Sequence, residues 1–246
     1  RMLWLVVVFV TGLSFAGYWA SKRFGQTRGV IVASAIGATY SSTAVTLDLA
    51  RRLRVPEADR PTLDAGIAAA TAIMPIRTLI LCAVVAPQAL SGFAMRIGPA
   101  VVVAGGWALA ATMRASRNGE GTANGARSAR SPFDFWPAVG FALMVAAIIV
   151  GSHWVIDRFG GNGAGFVIGF TGLYDVDAAI IAAANLPRAG MGESALASLL
   201  ALPVLANNLI KLVLVLVLAG PRAGALAALP LLLASVAIGA SMALLM

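Results

Sequence analysis

Two carboxylates, Asp175 and Asp177, stand in the run Thr171-Gly172-Leu173-Tyr174-Asp175-Val176-Asp177-Ala178, inside a segment otherwise built from Gly, Ala, Ile and Phe. An ionisable side chain at the centre of a membrane helix costs about 2.5–3.5 kcal/mol on insertion scales, so it marks a function or a buried ion pair. Carboxylates in such a place can hold a cation or neutralise a neighbouring positive side chain. Residues two apart on a regular helix point about 200° away from each other. Asp175 and Asp177 therefore share one ion only if the segment is unwound, and Gly169 and Gly172 before the acids, like Gly37 before Ser41, supply the freedom to unwind and to offer backbone carbonyls. Two cations, Arg77 and Lys211, fall at similar depth, so the charges balance at two negative and two positive. That balance admits a bundle merely fastened by ion pairs. It equally admits a midplane ion or substrate site built from Asp175, Asp177, Ser41, Ser42, Thr43, Asn207 and Asn208, with Arg77 and Lys211 as the buried charge partners. Asn207-Asn208 also suits plain hydrogen-bond glue between helices.

Other chemistries find little material. Cys82 is the one cysteine and His153 the one histidine, which argues against a disulfide framework, a thiolate metal site, a zinc enzyme and a Ser-His-Asp hydrolase. No nucleophile-base pair, metal cluster or phosphate loop stands out, so we expect neither an enzyme nor a bound cofactor. The net charge of +8 comes mainly from Arg and Lys at segment ends, which reads as interfacial anchoring rather than nucleic-acid binding. Trp4, Trp19, Trp136 and Trp154 likewise fit interface anchors.

The elements that position these residues follow from composition. At 60% apolar and 11% charged residues, with a mean hydropathy of +0.90, the chain is an all-α integral membrane protein, since no ten-residue alternation suggests a barrel. We read eight transmembrane helices at about 2–20, 29–50, 66–86, 91–113, 133–156, 163–186, 195–219 and 223–246. A polar linker at 114–132 divides a first four-helix repeat, 1–113, from a second, 133–246. Trp19-Ala20-Ser21-Lys22-Arg23-Phe24-Gly25 matches Trp154-Val155-Ile156-Asp157-Arg158-Phe159-Gly160 at an offset of 135 residues; at 134, Tyr40 falls on Tyr174, Thr43 on Asp177 and Arg77 on Lys211. An even number of spans per half predicts two parallel repeats, with spans 2, 3, 6 and 7 as an inner layer and spans 1, 4, 5 and 8 outside. Small residues every four positions (Gly161, Gly165, Gly169; Gly25, Gly29, Ala33, Gly37, Ser41) suit close helix approach, and Asp48 suits a solvated helix-end pair with Arg51 and Arg52.

Counting cations on alternate sides puts Arg1, Arg51, Arg52, Arg54, Arg60, Arg114, Arg117, Arg127, Arg130 and Arg188 on one side. Lys22, Arg23, Arg28, Arg96, Arg158 and Arg222 fall on the other. The positive-inside rule then predicts that both termini and the linker are cytoplasmic. The chain opens at Arg1, which reads as a piece of a longer protein.

Ser41-Ser42-Thr43-Ala44 followed by Arg51-Arg52, then Met74 to Arg77, then Asp175-Val176-Asp177-Ala178, then Asn207 to Lys211, together resemble the multi-helix domain that follows the MgtC/SapB-type module in bacterial membrane proteins. The resemblance implies a bacterial inner-membrane protein tied to magnesium homeostasis, with that preceding module as a partner in the full-length chain. Residues and resemblance together predict a transporter or channel-like module for a small ion such as a divalent cation. A regulatory or scaffold domain that binds another membrane protein is the alternative.

Overall fold

The computed structural model of the protein describes residues 26–56, 58–119, 168–169, 171–173, 175–184 and 192–245. The spans expected at 2–20 and 133–156, both W-x-x-x-R-F-G segments and most of the linker lie outside the described residues. Among the described residues there are six α-helices: α1 (Gln26–Arg52), α2 (Arg60–Val85), α3 (Leu90–Gly119), α4 (Val176–Ala184), α5 (Glu193–Ala219) and α6 (Pro221–Leu244), with a short 3-10 turn at Pro87–Ala89. The described residues contain no strand. All but α4 are long and apolar enough to cross a membrane, and the chain is a helical membrane protein.

Local chemistry explains where these helices begin and end. α2 starts at Arg60, ahead of the apolar run, because Asp59 caps it: the Asp59 carboxylate accepts from Thr62 Oγ1 (2.7 Å) and the Thr62 N–H (3.4 Å), and Pro61 is preset for a first turn. α3 continues through Gly119, six residues into the stretch read as linker, since a helix need not stop where hydrocarbon stops. Asp48 and Arg52 pair at 2.6 Å near the end of α1.

α1 does not run straight. Ser41 has φ −146° and ψ 94°, outside the helical region, and the two arms on either side of it return along the same helix, α2. A β-carbon at Gly66 of α2 would stand 2.8 Å from Leu49 Cδ1 and 2.9 Å from Ser34 Oγ, so the second and first arms meet within about 6 Å. Fifteen residues of straight helix would hold these two positions about 22 Å apart. Only glycine fits where both arms press on α2. The segment is a helical hairpin that enters the bundle, turns at Ser41 and returns, where the sequence had suggested one continuous span.

The directions of the remaining helices follow from what shares each end of the bundle. Arg60 and Asp64 at the start of α2, Trp107 and Arg114 near the end of α3, and Arg222 at the start of α6 line one cavity. At the opposite end, Arg96 near the start of α3 donates to Ser194 Oγ at the start of α5 (2.8 Å) and to the Leu245 carbonyl just past α6 (3.0 Å). Val215 and Ala219, at the end of α5, pack in one apolar cluster with Leu53, Leu63 and Ala227. Thus α2 and α6 run one way, α3 and α5 the other.

The expected parallel repeats are corrected by this arrangement. Arg77 and Lys211 correspond at an offset of 134, yet their helices, α2 and α5, are antiparallel, as are α3 and α6. The related helices are inverted. The chain leaves α3 at one end and enters α5 at the other. For the same reason Leu245 lies at the end opposite Arg114, so the C-terminus and the start of the linker cannot share a side. Arg28 and Arg222 also change sides. Arg28, Arg51, Arg52, Arg54, Arg60, Arg114, Arg117 and Arg222 all sit toward one end, and among the described cations only Arg96 marks the other.

Cysteines placed singly at Arg28 and Arg54 should therefore be labelled by a membrane-impermeant thiol reagent from the same side of the membrane, and one at Gln88 from the opposite side. Labelling of Arg28→Cys and Arg54→Cys from different sides would restore a straight α1.

Candidate functional site

Breaking a helix inside an apolar bundle strands backbone groups that water would otherwise satisfy, each at a cost of several kcal/mol in hydrocarbon. In α1 the stranded carbonyls are those of Thr39 and Tyr40, and Arg77 from the middle of α2 donates to both, at 3.0 and 2.6 Å. The same guanidinium donates to Asp177 Oδ1 at 2.9 Å. Arg77 thus ties the first break to the first turn of α4. On the far side of the break, Ser41 Oγ accepts from the Ala44 N–H (3.2 Å) and begins the second arm as an N-cap does.

A second break mirrors the first. Helical turns at 168–169 and 171–172 give way before α4 begins at Val176. Here Asn207 of α5 supplies the donors, with Nδ2 donating to the carbonyls of Gly172 (3.1 Å) and Leu173 (3.2 Å). Asp175 Oδ1 accepts from the Ala178 N–H at 2.9 Å and caps α4. Gly172 lies so close to the Cα and Cβ of Pro203 that a β-carbon has no room. The glycine therefore lets the broken segment reach Asn207, one turn further along α5.

The two breaks face each other across a cavity of about 430 Å³. Ser41, Ser42 and Thr43 line it from α1, Arg77 and Met74 from α2, Asp175, Val176 and Asp177 from the second break, and Asn207 from α5. Asp177 retains 40% of its side-chain surface and Arg77 24%, so the pair is half open rather than sealed. Asp177 sits where the N-terminal end of α4 carries its positive partial charge, and Arg77 where the first arm of α1 ends in negative carbonyls. Each charge is placed by the helix end that favours it.

Of the residues singled out from the sequence, Ser41, Ser42, Thr43, Arg77, Asp175, Asp177 and Asn207 thus meet at one cavity. Asn208 and Lys211 do not line it. Asn208 is buried, and among the described residues its Oδ1 has no hydrogen-bond partner. Lys211 is fully buried behind the wall, where Nζ donates to Ser42 Oγ (2.9 Å) and approaches Met74 Sδ (2.8 Å). The ion-pair reading gave each acid its own cation, but the pairing here is Arg77 with Asp177, while Lys211 meets neutral atoms. The sequence reading missed the carbonyls of Thr39 and Tyr40 and the sulfur of Met74. The break itself was hinted at by Gly37 and three consecutive hydroxyl residues; nothing in the sequence distinguishes Met74 from any core methionine.

A helical membrane protein with two opposed helix breaks and a polar cavity between them is the class this geometry defines. Within that class, the chain belongs to the family described as a domain of unknown function (DUF4010), whose model matches residues 8–219. It is similar to an uncharacterized protein of Aquifex aeolicus (strain VF5), 26% identical over 191 residues that cover 77% of this chain and 82% of that protein. No solved structure matches.

Removing Arg77 should hurt more than removing its carboxylate. Arg77→Met strands two carbonyls and Asp177 together and should cost about 3–5 kcal/mol, whereas Asp177→Asn leaves the carbonyl bonds and should cost about 1–2 kcal/mol. Lys211→Met, which deletes a buried charge without an ionic partner, should fall within about 1 kcal/mol of wild type and should not rescue Asp177→Asn. Equilibrium unfolding in mixed micelles orders the four variants. Rescue of Asp177→Asn by Lys211→Met would mean that Lys211, not Arg77, is the true partner.

Proposed function

We propose that this protein is a transport module of the inner membrane that carries a small ion through the cavity between its two helix breaks. The observation that carries the reading is the opposition of two broken segments at a polar cavity within an apolar bundle whose α2 and α5 run in opposite directions. Secondary transporters place substrate and coupling ions at such discontinuous helices, near the midplane and at the interface of inverted repeats. A bundle that needed only to hold together would gain nothing from two breaks and a half-open ion pair.

The ion class follows from the wall. Asp175 and Asp177, with the hydroxyls of Ser41 and Thr43 and the Asn207 amide, make an oxygen-rich surface, which suits a hard cation that keeps part of its water, as a divalent ion such as magnesium does. In the empty site Arg77 occupies Asp177 as a built-in counter-ion. An arriving cation takes over the carboxylate while Arg77 stays on the carbonyls of Thr39 and Tyr40, and the two acids offset the charge it brings. No covalent chemistry is asked of the protein in this reading. The positive-inside rule puts the end bearing Arg28, Arg51, Arg52, Arg54, Arg60, Arg114, Arg117 and Arg222 in the cytoplasm, and hence Leu245 on the far side. The magnesium tie implied by the likeness to the MgtC/SapB-associated domain belongs to the same reading.

Reconstituted wild-type protein should pass a divalent or monovalent cation across proteoliposomes. Asp177→Asn combined with Arg77→Gln, which retains donors for the two carbonyls, should fold normally yet lose at least tenfold in flux. No flux of any tested cation by the wild type, with normal folding of the double variant, would replace transport by a scaffold that binds another membrane protein.

A further inference from the structure

A second cavity, of about 340 Å³, lies at the arginine-rich end of the bundle, well away from the helix breaks. Arg60 at the start of α2, Arg114 near the end of α3 and Arg222 at the start of α6 line it, together with Asp64, Trp107 and small or apolar residues of the same three helices. Among the described residues none of these three arginines has an ion pair with a carboxylate. The three are exposed at the bundle end, and the one carboxylate in the wall, Asp64, offsets only part of their charge, from beside Arg60, which leaves a net positive cavity that an anion would join. The start of α6 adds to the demand, because no side chain caps its first N–H groups. One further group is unsatisfied: Asp64 is buried in the same wall, and among the described residues its Oδ1 has no hydrogen-bond donor.

We propose that this cavity binds the phosphate headgroup of an anionic phospholipid. Arginine matches phosphate oxygens through paired N–H groups, and basic pockets between helices on the cytoplasmic side of membrane proteins take anionic headgroups. Trp107 suits the boundary between headgroup and acyl chain, and the apolar part of the wall suits the chains themselves, which a free phosphate would leave bare. Asp64 selects further. A headgroup that carries hydroxyls, as phosphoglycerol does, satisfies the orphaned Oδ1 with a donor while its phosphate engages the arginines. The site therefore favours phosphatidylglycerol over phosphatidylcholine, which has no donor to offer Asp64 and no net charge for the arginines.

Native mass spectrometry of the whole protein, exchanged into mild detergent with equal amounts of the two lipids, tests this directly. The expected result is retention of at least fivefold more phosphatidylglycerol than phosphatidylcholine by the wild type. Loss of that preference is expected in Arg114→Gln/Arg222→Gln, whose changes lie at an exposed bundle end, and a reduced preference in Asp64→Asn. Size-exclusion profiles show whether the variants remain folded. Should they not, the wild-type preference alone decides. Equal retention of the two lipids overturns the proposal. Displacement of bound phosphatidylglycerol by millimolar glycerol phosphate or inorganic phosphate also overturns it, because the source would then be a soluble phosphate. A preference that survives in a folded double variant overturns the assignment to these arginines.

Discussion

Everything in the centre of this molecule depends on satisfying backbone groups where no water is assured. A helix closes its own hydrogen bonds; a broken one leaves carbonyls on one side of the break and N–H groups on the other. In hydrocarbon that debt cannot be left open. Arg77 answers it for α1 and Asn207 for the segment before α4, while Ser41 and Asp175 supply the caps that restart each helix. The polar residues of the cavity are thus first of all the condition for having breaks at all. Any ion-handling role is built from groups that the fold already requires.

That double duty sets what each residue can tolerate. Arg77 has three acceptors on two separate segments, so it couples the position of α1 to that of α4. Asp177 has Arg77 as its ionic partner and can be given to another cation without opening either break. Asp175 is already engaged with the α4 backbone, so its carboxylate is the more rigid of the two. The asymmetry between neighbouring acids comes from helix geometry: one stands just before the first turn, the other within it.

The sequence made much of this site legible and the topology much less so. Depth counting brought Ser41 to Thr43, Arg77, Asp175, Asp177 and Asn207 to one plane, because rise per residue converts distance from a span end into height. Lys211 reaches that height too, but its long side chain turns to Ser42 and Met74, a choice that depends on neighbours no periodicity reveals. The hairpin in α1 stayed hidden because hydropathy measures length and not direction. Twenty-seven apolar-rich residues satisfy the length of a span whether they cross or turn back. The only local signs were Gly37 and the hydroxyl run, and both occur in unbroken helices.

That one unseen turn propagates into the relation between the repeats. Four segments that all cross return the chain to its starting side, and a copy then repeats in parallel; if one of the four turns back, the half makes an odd number of crossings and its copy must be inverted. The correspondence of Arg77 with Lys211 survives either way, since it rests on sequence offset. The two cations enter from helices of opposite direction, and each reaches across to the other half of the chain: Arg77 to Asp177, Lys211 to Ser42. A parallel pair would place equivalent groups on equivalent sides of an axis through the membrane. The inverted pair instead points the two breaks at each other, and the cavity is what remains between them.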